Sequence, residues 1–151
     1  MPKVAVTRRV AHAATEMFEL VADVERYPQF VPLCESLTLR SRKHAEGREV
    51  LTCDMSVGYK SFRETFSTRV TLARPSLIID FAYLTGPFRR MSGRWRFEGQ
   101  GPRDCLVHFA VDYEFRSRIL ALLMGTVFDH AFRRFAEAFE ARADEIYGVS
   151  V

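Results

Sequence analysis

The chain has 151 residues, of which 48% are apolar and 27% charged, with a formal net charge of +3. That length suits one domain with a single substantial core; the charge suits weak attraction to an anionic membrane surface and is too mild to argue for nucleic acid by itself. Three cysteines (Cys34, Cys53, Cys105) without a CxxC pair or clustered histidines exclude a disulfide framework and a zinc site, and read as free thiols in a reducing compartment.

The N-terminus MPKVAVTRRV lacks the apolar core of a signal peptide, and no apolar run reaches membrane-spanning length, so a cytoplasmic location is expected. Lys3 to Val10 reads as a first strand and Ala13 to Val21 as a short helix. The stretch VADVERYPQFVP (Val21 to Pro32) then breaks the helix, because Pro28 and Pro32 push the residues before them into extended or turn conformations. Tyr27, Phe30 and Val31 are apolar for a connector, a class of segment that usually carries polar turn residues over the surface.

Period-2 segments follow, punctuated at Glu46-Gly47, Gly58, Arg74-Pro75, Gly86-Pro87 and Gly99 to Pro102. Leu37 and Leu39 share one face, as do Leu51, Cys53, Met55 and Val57 in the next segment. Phe62, Phe66, Val70 and Leu72 alternate with Arg63, Thr65, Ser67, Arg69 and Thr71. Further apolar faces run through Leu77, Ile79, Phe81 and Tyr83, through Met91, Gly93, Trp95 and Phe97, and from Cys105 to Phe115 in steps of two. One apolar and one polar side per strand marks an antiparallel sheet covered on one face. Ser117 to Tyr147 closes the chain as a long helix, with Leu120, Met124, Val127, Phe128, Ala131, Phe135, Ala138, Phe139 and Ile146 on one stripe and Arg133, Glu137, Glu140 and Asp144 opposite. Some thirty residues at about 1.5 Å each span about 45 Å, enough to cross a whole sheet. The fold class is therefore α+β: a curved antiparallel sheet wrapped around a long C-terminal helix, with short helical segments after the first strand, all in one domain over residues 1–151.

No catalytic constellation assembles from the residue types. His12, His44, His108 and His130 are scattered and read as solvated or edge histidines, and Asp112 and Glu114 are neighbouring carboxylates on a polar strand face. Strand parity turns Glu64 inward with Phe62 and Phe66, where it serves either as a polar anchor for a ligand head group or as a rim partner for an arginine. Arg89, Arg90, Arg94, Arg96, Arg63 and Arg69 make a basic outer sheet face that is either simply solvated or meets lipid head groups or ribosomal RNA. ILALLMG (Ile119 to Gly125) is apolar on every side, which places it under the sheet and loops, at a cavity mouth or against a membrane.

DVERYPQFVPLC (Asp23 to Cys34), GPF (Gly86 to Phe88), WRF (Trp95 to Phe97), CLVHFAVDYEFRS (Cys105 to Ser117), Val127-Phe128 and AFEARA (Ala138 to Ala143) together resemble the coenzyme-Q-binding START-domain family. That family belongs to the polyketide cyclase and lipid-transport superfamily, and it also holds a bacterial ribosome-association toxin. Leu33 departs from the tryptophan that many relatives carry in this loop. The resemblance implies the helix-grip (START, Bet v-like) fold and a non-catalytic binder of a polyprenyl quinone such as ubiquinone, acting as a lipid chaperone in respiratory electron transport. Ubiquinone would be ligand rather than cofactor, no metal is implied, and the site would touch the inner membrane face peripherally. A toxin that associates with a ribosomal subunit is the alternative, and a cyclase using Glu64 is a third reading. Expected cavity or rim residues in the first half of the chain are Phe30, Val31, Phe62, Glu64, Phe66 and Phe81. Those in the second half are Trp95, Phe97, Phe109, Val111, Leu120, Met124, Val127 and Phe128.

Overall fold

The computed structural model describes residues 3–148. The alternating segments become seven strands: β1 Lys3–Val10, β2 Cys34–Ala45, β3 Arg48–Tyr59, β4 Phe62–Ala73, β5 Ile78–Thr85, β6 Phe88–Gly101 and β7 Asp104–Phe115. They form one antiparallel sheet in the order β1-β7-β6-β5-β4-β3-β2. Hairpins connect β2 through β7, and β1 closes the far edge by pairing with β7 from Lys3↔Asp112 to Val10↔Cys105. Between β1 and β2 lie the helix α1, Ala14–Ala22, and a 3-10 segment, Val24–Gln29. The long helix α2, Arg118–Tyr147, follows β7.

Local chemistry accounts for most boundaries. Glu46 and Gly47 both take positive φ, the backbone that a tight hairpin with the right twist requires. The Ser117 hydroxyl accepts hydrogen bonds from the Ile119 and Leu120 amides and so caps α2, and Gly148 ends it at φ 84°. Two expected turns shift. Gly58 lies within β3 with the turn at Lys60 and Ser61, and β6 runs on to Gly101 through a register shift, leaving Pro102 and Arg103 to turn. Register shifts at Leu39/Ser41, Ser67/Thr68 and Phe88/Arg90 add the bends that curl the sheet.

The curled sheet buries its inner face against α2. Phe128 meets Phe62, Phe88 and Phe115, and eleven residues on, Phe139 meets Tyr27, Phe30 and Trp95. Because the sheet wraps the helix, the buried arc is wider than the expected stripe. Phe132, Ala136 and Ala143 join it, whereas Ile146 lies in the final turn and is 52% exposed.

Candidate functional site

Between the concave face and the middle of α2 lies a cavity of about 90 Å³. The sheet supplies Met55, Val57, Phe66, Thr68, Val70, Ile79, Phe81, Phe88, Met91, Trp95 and Phe109. Helix α2 supplies Phe128, Ala131, Phe132, Phe135 and Phe139, and the loop before β2 closes the space with Tyr27, Val31, Pro32 and Leu33. Gly93 shapes the sheet wall. A Cβ there would stand 2.2 Å from the Phe81 ring, so the missing side chain lets Phe81 lie across β6 and stack on Phe109 at 6.1 Å. The lining holds no carboxylate, imidazole, thiol or cationic side chain. Its phenol, Tyr27, donates to the Val21 carbonyl, and burial raises its pKa well above the usual tyrosine range.

The loop that looked too apolar for a connector is thereby explained. Tyr27 and Phe30 pack edge-on against Phe139 at 5.3 and 5.0 Å, while Val31 and Leu33 face the cavity. Leu33 adopts φ 69°, and its carbonyl accepts the Gly58 amide, which fastens the loop to β3. Of the expected cavity residues, Val31, Phe66, Phe81, Trp95, Phe109 and Phe128 line the cavity together.

The other expected residues do not line it. Phe30 lies outside, sandwiched between Phe139 and the Arg142 guanidinium. Phe97 is buried against Phe18 of α1 beyond the cavity, and Val111 is buried on β7 away from the lining. Glu64 does share the inner side of β4, but it stands half-buried toward the Phe62 end of the strand and outside the lining. Phe62, Leu120, Met124 and Val127 belong to the packing at the start of α2, Phe62 edge-on to Phe128 at 6.2 Å. Conversely, Thr68, Met91, Phe132, Phe135 and the loop residue Leu33 line the cavity without having been among the expected cavity or rim residues. Strand parity could have found Thr68, which stands between Phe66 and Val70 on the inward side; its polarity hid it.

Ion pairing corrects the expected basic face. Arg94 grips Asp80, Arg90 reaches Asp112 and Glu114, Arg96 lies 3.5 Å from Glu98, and Arg63 pairs with Glu35. Arg94, Arg90 and Arg63 stand in pairs that join different strands, which the sequence conceals until register is known, and Arg96 pairs along its own strand. His12 is also corrected: it is 1% exposed, with Nε2 2.7 Å from the Asp144 carboxylate on α2. His108 is held between Thr7 and Glu98, whereas His44 and His130 are exposed. All three cysteines are buried, and burial pushes each thiol up to about 11, so they stay protonated and unreactive. Among the described residues no group of three or more His, Cys, Asp or Glu could hold a metal ion.

Residues 10–140 match the family described as polyketide cyclase / dehydrase and lipid transport. The ribosome association toxin RatA of Escherichia coli K12 is 31% identical over 97% of this chain and 90% of its own length. The mitochondrial coenzyme Q-binding protein COQ10 of Dictyostelium discoideum is 25% identical over 96% of this chain and 70% of its own. The solved 18 kDa protein CC1736 of Caulobacter crescentus is 31% identical, with a TM-score of 0.79 over 99% of this chain and all of that one. The Zhui aromatase/cyclase of a Streptomyces superposes with a TM-score of 0.66 at 23% identity, over 97% of this chain and 88% of that one, a likeness of fold.

Proposed function

The chain belongs to the polyketide cyclase / dehydrase and lipid transport family, and from that premise we propose that it is a non-catalytic carrier of a neutral hydrophobic ligand of the polyprenyl quinone kind. The observation that carries this reading is the cavity lining, which is built almost wholly of apolar side chains and offers no general acid or base poised to react. Similarity to a coenzyme Q-binding protein over most of both chains supports the quinone class. Each buried CH₂ of a prenyl tail contributes about 0.8 kcal/mol. At about 90 Å³ the cavity is narrower than the roughly 300 Å³ at which pockets for drug-sized ligands begin, so a tail enters by displacing lining groups. Met55 and Met91, flexible thioethers on the wall, and the start of α2 are the parts able to yield. The exposed apolar residues Ile119, Leu122 and Leu123, with Arg116 and Arg118 beside them, suit that end to the surface of an anionic bilayer.

A second reading, association with a ribosomal subunit, is favoured by the 31% identity to the ribosome association toxin across nearly the whole chain. The ion pairs on the outer face leave it less charge for phosphate than the arginine count suggested. Incubation with ubiquinone-loaded anionic vesicles, followed by native mass spectrometry and extraction, separates the two. A stoichiometric quinone adduct is expected. A protein that stays unliganded, yet cosediments with ribosomal subunits in a salt-sensitive way, would replace the carrier with the ribosome reading.

A further inference from the structure

The inner wall carries one small hydroxyl, on Thr68, which is 6% exposed and has no hydrogen-bond partner among the described residues. A hydroxyl on an apolar wall that no protein group pairs is a polar point where a ligand can bond. The fully buried side-chain atoms without a partner, on His12, Tyr113 and Arg142, belong to side chains outside the cavity, whereas the Thr68 hydroxyl is not among them and is open to the space it lines. Thr68 also marks an irregularity in the sheet. Ser67 pairs with Thr85 and Thr68 with Tyr83, so Leu84 is an extra residue bulged out of β5 directly beside it. Bulges of this kind gather next to binding sites, where they re-aim a side chain.

The rest of the lining restricts what could meet that hydroxyl. Tyr27 is already engaged with the Val21 carbonyl. Trp95, the remaining lining side chain with an N–H or O–H, has an indole N–H without a hydrogen-bond partner among the described residues. It stands on the rung of Ile79 and Leu72, four residues along β4 from Thr68, or about 13 Å in the strand direction. Both groups can donate, indole can only donate, and no cationic side chain is present to balance an anion.

Resting on the carrier reading above, we infer that Thr68 is the head-group anchor of the cavity: its hydroxyl donates to a carbonyl oxygen of an uncharged ligand, and the cavity selects neutral carbonyl compounds over both plain hydrocarbons and carboxylates. The hydroxyl is kept on an apolar wall because the ligand pairs it.

Equilibrium dialysis of the full chain against three probes of one shape tests this: duroquinone, durene, which lacks both oxygens, and 2,3,5,6-tetramethylbenzoate, which adds a charge. The wild type is expected to hold duroquinone about tenfold more tightly than durene and the benzoate not measurably. Thr68→Val, which keeps the side-chain shape, should lose about tenfold for duroquinone and nothing for durene, while melting at or above the wild-type temperature. Thr68→Ser, which restores the hydroxyl, should regain the preference. Thr68→Val holding duroquinone as the wild type does, losing durene in equal proportion, or melting well below the wild type would each overturn the anchor. Benzoate held as tightly as durene would overturn the selection for neutral ligands. If durene and duroquinone bind the wild type equally well, the anchor falls and the carrier stands; if neither binds, both fall.

Discussion

The two halves of α2 meet the rest of the molecule in different ways. From Phe139 onward the helix is fastened on several sides. Phe139 sits edge-on among Tyr27, Phe30 and Trp95, Glu140 pairs with Arg8 of β1, the Arg142 guanidinium covers Phe30, and Asp144 reaches the buried His12. From Arg118 to Gly125 the helix has its Ser117 cap and an inner face of Leu120 and Met124, while Ile119, Leu122 and Leu123 point away from the protein. Leu122 is 85% exposed, and Gly125 adds a residue of weak helix propensity with open space around it. One end of α2 is therefore fastened on several sides, and the other presents an apolar outer face to solvent. Local opening free energies differ within one fold in this way, and binding elements are drawn from the less stable part.

The contrast breaks most severely at the fastened end. Phe139→Ala removes a 1% exposed ring that touches three aromatic neighbours, and it should cost about 3–5 kcal/mol in urea denaturation. A loss below about 1 kcal/mol would mean that this end of α2 is held by its other contacts. Asp144→Ala is the next step down. It strips Nε2 of His12 of its partner, and Nδ1 of that ring already lacks one among the described residues, so a cost of about 1–3 kcal/mol is expected by the same measurement. His12→Phe combined with Asp144→Ala should recover part of this, because the unpaired imidazole is then gone. Equal losses in the single and double variants would show that the cost does not come from leaving the imidazole unpaired.

How far the sequence reached follows from the kind of signal each feature carries. Strand faces were legible because alternation is local. β7 reads Cys105, Val107, Phe109, Val111, Tyr113, Phe115, and every one is buried. The helix was legible in extent and less so in its buried arc, since Phe132 and Ala136 depend on how far the sheet wraps around it. What spans distant parts of the chain was hidden. His12 and Asp144 are 132 residues apart, and the arginines of β6 looked bare until register set Asp80 and Asp112 beside them. The candidate site was half legible for a similar reason. Large inward aromatics such as Phe66, Phe81 and Phe109 announced themselves. Thr68, a polar residue on an apolar face, had its meaning set by the bulge beside it. Phe97 showed the opposite error, an inward residue that packs onto α1 through Phe18 rather than onto the cavity.

The smallest effect on stability is expected where the functional effect is largest. Leu122→Ser with Leu123→Ser changes two side chains that are 85% and 68% exposed, so unfolding should move by no more than about 0.5 kcal/mol, as for surface positions generally. If this apolar turn is where the carrier meets the bilayer, the double variant should lose flotation with anionic vesicles and take up ubiquinone from them several-fold more slowly. Its affinity for duroquinone added from solution should be unchanged, since neither residue lines the cavity. Arg116 and Arg118 supply the charge for such contact, and flotation of the wild type should accordingly weaken as salt rises. A large loss of stability would instead mark the two leucines as part of the core. Sedimentation showing a wild-type dimer and a monomeric double variant would mark them as the seam between two copies. Unchanged stability together with lost transfer would establish that the exposed leucines of α2 serve contact with the bilayer, while the fastened end holds the fold.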